Sequence, residues 1–169
     1  GDKPIPKQFY SAGTQTVQQQ LPDGSTIWLS PGAELTYEAG ETRNIDLKGS
    51  AFFDVRRDEQ KPFIIPSGAT TVQVLGTSFS VTESDSAVEV RVATGKVAFA
   101  SAEEKIVLEP GLKGSYQKTG GSLVKSTNTE FDFKPGEGEH WVFVDTPLGE
   151  VMTTLSKFYQ LNIAFSNEG

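Results

Sequence analysis

Val88-Glu89-Val90-Arg91-Val92-Ala93-Thr94-Gly95-Lys96-Val97-Ala98-Phe99 alternates apolar with polar or small residues on both sides of a glycine. In an extended chain successive side chains point to opposite faces. Val88, Val90 and Val92 therefore form one apolar row and Val97 and Phe99 a second, with Gly95 able to carry the backbone through the turn between them. Upstream the same period recurs at Ile27/Leu29, Leu35/Tyr37, Ile45/Leu47, Phe53/Val55, Val72/Val74 and Phe79/Val81, each the signature of a half-buried strand. Turn formers punctuate these runs: Pro22-Asp23-Gly24, Pro31-Gly32, Gly40, Gly49, Pro66-Ser67-Gly68, Gly76, Pro110-Gly111 and Gly120-Gly121. An interval of roughly ten residues between turns predicts a mainly β body, either an antiparallel sandwich or a solenoid-like rolled sheet. Leu21-Pro22-Asp23-Gly24 and Leu108-Glu109-Pro110-Gly111 echo one another, but the period is not sustained enough to establish a solenoid repeat, and two ordinary hairpin-like turns are the preferred reading.

Outward from this body the pattern changes at both ends. Residues 1–12 contain Pro4 and Pro6, three charges and no periodicity, and read as a linker that gains order only by docking, with structure expected from Gly13. The β body is expected over 13–133. Lys134-Pro135-Gly136-Glu137-Gly138-Glu139-His140 then reads as a second linker. Beyond it Trp141, Phe143 and Val144 suggest a short strand, and Thr146-Pro147 supplies a capping hydroxyl followed by proline at the first helical position. Leu148, Val151, Met152, Leu155, Phe158 and Tyr159 fall on one helical stripe, and Leu161, Ile163 and Phe165 alternate again. Residues 141–169 are thus expected to be a small, incomplete α/β (βαβ) module.

Composition narrows the function. A formal charge of -7 over 169 residues repels a phosphate backbone, so nucleic acid is not an expected partner. The absence of cysteine removes disulfides, thiolate metal sites and cysteine nucleophiles. No apolar run approaches the ~20 residues that a membrane-spanning helix needs. His140 is the sole histidine, which leaves no partner imidazole for a metal site or a relay.

The remaining chemical signals each have a plainer reading. Ser78 in Gly76-Thr77-Ser78-Phe79-Ser80 lacks the flanking glycines of a nucleophile elbow and reads as a strand residue. Gly111-Leu112-Lys113-Gly114-Ser115 has neither the spacing of a phosphate loop nor a following helix, and reads as a β-turn. Asp54, Asp58 and Glu59 could in principle form a glycosidase pair, but Arg56, Arg57 and Lys61 among them favour a charged, solvated turn. Glu83, Asp85 and Glu89 lack the central glycine of a calcium loop. Trp28 points away from Ile27 and Leu29, so with Tyr37 it could offer a sugar platform or a protein contact, or pack under a loop. No cofactor is expected, and the chain is expected not to be an enzyme.

From Leu21-Pro22-Asp23-Gly24-Ser25-Thr26-Ile27-Trp28-Leu29 onward the chain resembles the periplasmic region of FecR-type anti-sigma regulators. The likeness continues through Arg43-Asn44-Ile45-Asp46-Leu47-Lys48-Gly49-Ser50-Ala51-Phe52-Phe53-Asp54-Val55, Lys61-Pro62-Phe63-Ile64-Ile65 and Val72-Gln73-Val74-Leu75-Gly76-Thr77-Ser78-Phe79-Ser80-Val81. It extends to Val92-Ala93-Thr94-Gly95-Lys96-Val97 and Leu108-Glu109-Pro110-Gly111. Phe143, Asp145-Thr146-Pro147-Leu148, Glu150-Val151 and Phe158-Tyr159 resemble the start of a short secretin and TonB N-terminal (STN-like) module. The resemblance implies the periplasmic portion of a single-pass inner-membrane protein whose anchor and cytoplasmic segment lie upstream. That segment would hold an extracytoplasmic-function (ECF) sigma factor, and the signalling domain of a TonB-dependent outer-membrane transducer would dock here. Trp141, Phe143, Phe158 and Tyr159 are the expected docking residues; a carbohydrate-binding β-sandwich is the alternative.

Overall fold

The computed structural model describes residues 6–129, and every regular element among them is a β-strand. In chain order these are β1 (Lys7–Ser11), β2 (Val17–Gln20), β3 (Thr26–Leu29), β4 (Glu34–Ala39), β5 (Arg43–Lys48), β6 (Ser50–Asp54) and β7 (Phe63–Ser67). They are followed by β8 (Thr70–Val74), β9 (Ser78–Glu83), β10 (Ala87–Thr94), β11 (Val97–Ala100), β12 (Lys105–Leu108), β13 (Leu112–Gln117) and β14 (Ser122–Thr127). The first sheet has the order β1-β4-β5-β7-β8-β11-β12 and the second β14-β13-β10-β9-β6-β3-β2.

The chain alternates between the sheets. From β3 it passes to β4 and β5 in the first sheet, to β6 in the second, back to β7 and β8, across to β9 and β10, and so on. In both sheets the strands advance in sequence order from one margin to the other. The result is a sandwich wound like a wide solenoid, so the two architectures expected from turn spacing are aspects of one topology. Every pairing is antiparallel except β5 with β7, where Arg43 lies opposite Phe63 and Asn44 opposite Ile64. That exception follows from the winding, because β6 carries the chain through the other sheet before it returns beside β5.

Strand alternation decides the core. Ile27, Leu29, Phe53, Phe79, Val81, Val88, Val90 and Val92 on the second sheet face Leu35, Tyr37, Ile45, Leu47, Phe63, Val72, Val74, Val97 and Phe99 on the first, and all are buried. Phe53 stacks on Phe79, ring centroids 5.1 Å apart, and meets Phe63 edge-on at 5.9 Å, so one aromatic cluster bridges the layers. Burying each such side chain stabilises the fold by about 1.5–3 kcal/mol. At Gly114 the interior closes down fully: a methyl group there would sit 2.7 Å from Phe99 Cδ1 and 2.9 Å from Leu108 Cδ1.

Three expectations change. The stretch read as a linker contains β1, which pairs with β4 from Lys7 opposite Glu38 to Ser11 opposite Glu34. It escaped the period-two reading because only Tyr10 packs toward the core while its neighbours stay exposed. Gly111 is a turn residue, but Lys113, Gly114 and Ser115 are strand residues of β13, with glycine required by the neighbours just named. Trp28 does point away from Ile27 and Leu29, yet it is only 2% exposed. The expected linker and α/β module, 134–140 and 141–169, lie outside the described residues.

Gly114→Ala is expected to cost about 1–3 kcal/mol, the usual penalty of overpacking a filled core. Urea unfolding checks this: a midpoint equal to that of the wild type would show that Phe99 and Leu108 have room to yield.

Candidate docking surfaces

Arg43 opens β5 on the same face as Ile45 and Leu47, so alternation drives its guanidinium inward, where it is 3% exposed. Backbone carbonyls receive it. Nε donates to Lys61 O at 2.7 Å, Nη1 to Arg56 O at 2.7 Å, and Nη2 to Leu75 O at 3.1 Å. Nη1 also pairs with Asp23 Oδ2 at 2.9 Å, and the guanidinium lies 5.4 Å from the centre of the Phe63 ring. Asp23 is held by the N–H and hydroxyl of Ser25, at 3.0 and 2.7 Å, and the Ser25 hydroxyl accepts from Arg56 N at 3.0 Å. One side chain therefore fastens the β2–β3 turn, the β6–β7 loop and the end of β8. With its donors directed inward, Arg43 is an internal brace rather than a recognition cation.

Above this brace lies a depression of about 410 Å³ whose lining includes Pro22, Tyr37, Gly40, Arg56, Arg57 and Lys61. Its rim is cationic in an acidic chain. Burial raises the Tyr37 phenol above its ordinary range, the Asp23 charge adds to the rise, and the Arg43 charge opposes it. On the neighbouring outer face of the first sheet, Gln73, Leu75, Lys96, Ala98, Val107 and Pro110 line a groove of about 680 Å³, which Arg57 shares with the depression. Ala98 lies opposite Gln73 on one side and Val107 on the other, so its short side chain forms the floor. Leu75 and Val107 are exposed there.

The sheet margins differ in how they are protected. At the β12–β14 margin Lys125 Nζ reaches Val107 O at 3.5 Å and a Glu104 carboxylate oxygen accepts from Leu123 N at 2.9 Å. Side chains thus occupy the space where a foreign strand would enter. At the opposite margin β1 is an outer strand with Phe9 exposed, and Lys7 pairs with Glu38 of β4 at 3.3 Å.

The structure disperses the residues weighed for catalysis. Ser78 Oγ donates to Asp54 Oδ1 at 2.8 Å, Asp58 Oδ1 accepts from Gln60 N at 3.0 Å, and Glu59 pairs with Arg57. Glu83 accepts from Ser67 and Lys118, and Glu89 pairs with Arg91 at 2.8 Å. Among the described residues no group of His, Asp or Glu is arranged to hold a metal ion. Trp28 and Tyr37 are both buried, so neither is a sugar platform. Trp141, Phe143, Phe158 and Tyr159 lie outside the described residues. The Arg43 brace and the Ala98 groove escaped the sequence reading.

Residues 8–98 match the family model of the FecR protein. Two crystal structures of a candidate anti-sigma factor from Parabacteroides distasonis ATCC 8503, at 2.50 and 1.65 Å, are similar to the chain, each with 28% identity and a TM-score of 0.68. The chain is covered over 91% and 95% of its length, against 75% and 79% of theirs. No curated protein matches it.

Arg43→Met removes a buried partner from Asp23 and three carbonyls, and is expected to destabilise the fold by about 3–5 kcal/mol, read by urea denaturation; a loss within error would show the brace to be dispensable. The Tyr37 shift has a definite sign. The phenol stays neutral in the folded chain above the pH, about 10, at which the unfolded chain ionises. Its stabilisation is present below that pH and declines as pH rises toward the folded value. Tyr37→Phe should therefore lose less stability between about pH 9 and 11 than the wild type, in unfolding curves at each pH.

Proposed function

Since the chain belongs to the FecR family and is an anti-sigma regulatory domain, we propose that it receives a signal in the periplasm, as part of a single-pass inner-membrane protein. In this reading it binds the signalling domain of a TonB-dependent outer-membrane transducer and so governs an ECF sigma factor held by a cytoplasmic segment. The family match over residues 8–98 is the observation that carries the reading. Among the described residues, the groove floored by Ala98 and the outer strand β1 are surfaces that a partner could engage. Among the described residues no helix is long and apolar enough to cross a membrane, so this proposal places the anchor outside them.

The docking residues in this proposal are Trp141, Phe143, Phe158 and Tyr159. Large aromatic side chains carry a disproportionate share of binding energy at interfaces. Titrating the transducer's isolated signalling domain against the chain with and without residues 141–169 tests the assignment. Trp141→Ala or Phe158→Ala in the full chain should weaken binding about tenfold or more, equivalent to at least ~1.4 kcal/mol. Equal affinity of the shortened chain would overturn the assignment of the surface, and absence of binding by the full chain would overturn the partner.

A further inference from the structure

Two concave surfaces of the β body meet at one residue, since Arg57 lines both the depression above Arg43 and the groove on the outer face of the first sheet. Backbone contacts set its position. Val55 N donates to Thr77 O and Asp58 N to Leu75 O, each at 2.9 Å, so the chain from 55 to 58 runs zipped along residues 75–77. A methyl group at Gly76 would sit 2.5 Å from Arg57 Cα, so glycine is what lets the two backbones lie this close. The other cations are held in the same manner. Arg43 donates to the carbonyls of Arg56 and Lys61, both at 2.7 Å, and Thr77 Oγ1 donates to Lys96 O at 3.0 Å on the groove side. Four cationic side chains thus rise from fixed backbone around adjoining hollows of about 410 and 680 Å³.

Charge and apolarity are divided between rim and floor. Among the described residues the two linings hold Arg43, Arg56, Arg57, Lys61 and Lys96 against Asp23 and Asp58, five positive charges to two negative, a net of +3 in a chain of net -7. Glu59 and Glu109 stand beside them, paired with Arg57 and, at 3.8 Å, with Lys96. Both carboxylates are exposed, and ion pairs so exposed contribute little and give way to a better partner. The floor is apolar: Leu75 and Val107 are two of the four large hydrophobic residues exposed among the described ones. Ala98 lies between Gln73 and Val107, whose strands are two spacings, about 10 Å, apart, which is room for one extended chain. An apolar centre within a polar rim is the anatomy of a protein-recognition surface. We propose that groove and depression form one such surface for an extended acidic segment of another protein, an apolar side chain seated on Ala98 between Leu75 and Val107 and carboxylates at Arg57, Arg56 and Lys61. Charge selects this occupant, because the rim attracts carboxylates while the floor rewards apolar burial that a small free anion does not use. The fixed backbone lowers the cost of ordering the rim on binding. The inference rests on the β body alone and does not depend on the transducer.

Selection of a random peptide library displayed on phage against the full chain tests this. Enriched sequences should place Asp or Glu beside large apolar residues. A synthetic peptide of the consensus sequence should bind Ala98→Trp, which fills the groove, and Arg57→Glu, which reverses the shared cation, about tenfold more weakly than the wild type. Its affinity should also fall as ionic strength rises, whereas Phe9→Ala, at the exposed position of β1, should bind it as the wild type does. Leu75→Ser, outside the strands, takes the place of Ala98→Trp if that variant does not keep the wild-type circular dichroism spectrum. Absence of enrichment, a consensus without carboxylates, or a peptide indifferent to filling the groove or to Arg57→Glu would overturn the proposal. Weakening by Phe9→Ala alone also overturns it and assigns docking to the β1 margin. No readout uses the transducer, so failure here is distinguishable from failure of the functional reading.

Discussion

The wound sandwich depends on how the Arg43 guanidinium is received by the carbonyls of Lys61, Arg56 and Leu75. The parallel contact between β5 and β7 requires the chain to leave the first sheet, run through β6 and return, and the loop that returns it carries backbone groups outside any ladder. Buried carbonyls without donors cost about 1–3 kcal/mol each. A guanidinium is suited to this task, since it offers five donors in a rigid fork and keeps its charge. Asp23 balances that charge from the β2–β3 turn, so the same contact sets the distance between the loops at one end of the sandwich. The cationic depression above is a consequence: with Arg43 turned inward, Arg56 and Arg57 on the braced loop are left on the surface.

Much of the body was legible because the inward rows of its central strands keep period two. Ile27/Leu29, Leu35/Tyr37, Phe79/Val81 and Val88/Val90/Val92 all enter the core, as their alternation demands. The margins were less legible for a physical reason. β1 and β14 bury little, so selection for apolar residues is weak there and the pattern fades. Arg43 was readable in principle, since it sits two residues before Ile45 on the inward row and a charged residue on a buried face calls for a partner; its partner Asp23 was not, because the β2–β3 turn lies twenty residues upstream. Gly114 was misread because glycine signals both turns and tight packing, and only the positions of Phe99 and Leu108 separate the two. The Ala98 groove had no local signal at all, because its walls come from β8, β11 and β12, which meet only in the folded sheet.

Trp28 illustrates a different limit. Alternation gives the direction of a side chain correctly but not what lies beyond it. A tryptophan on an outward row reads as a ligand platform only while it is taken to be exposed. At 2% exposure, with its ring edge-on to Phe52 at 5.7 Å, Trp28 is a packed residue instead, and its neighbour Phe52 at 6% shares that burial. Burial of two adjacent aromatics contributes several kcal/mol to the fold, so the outward row of β3 and β6 stabilises the body as the inward row does.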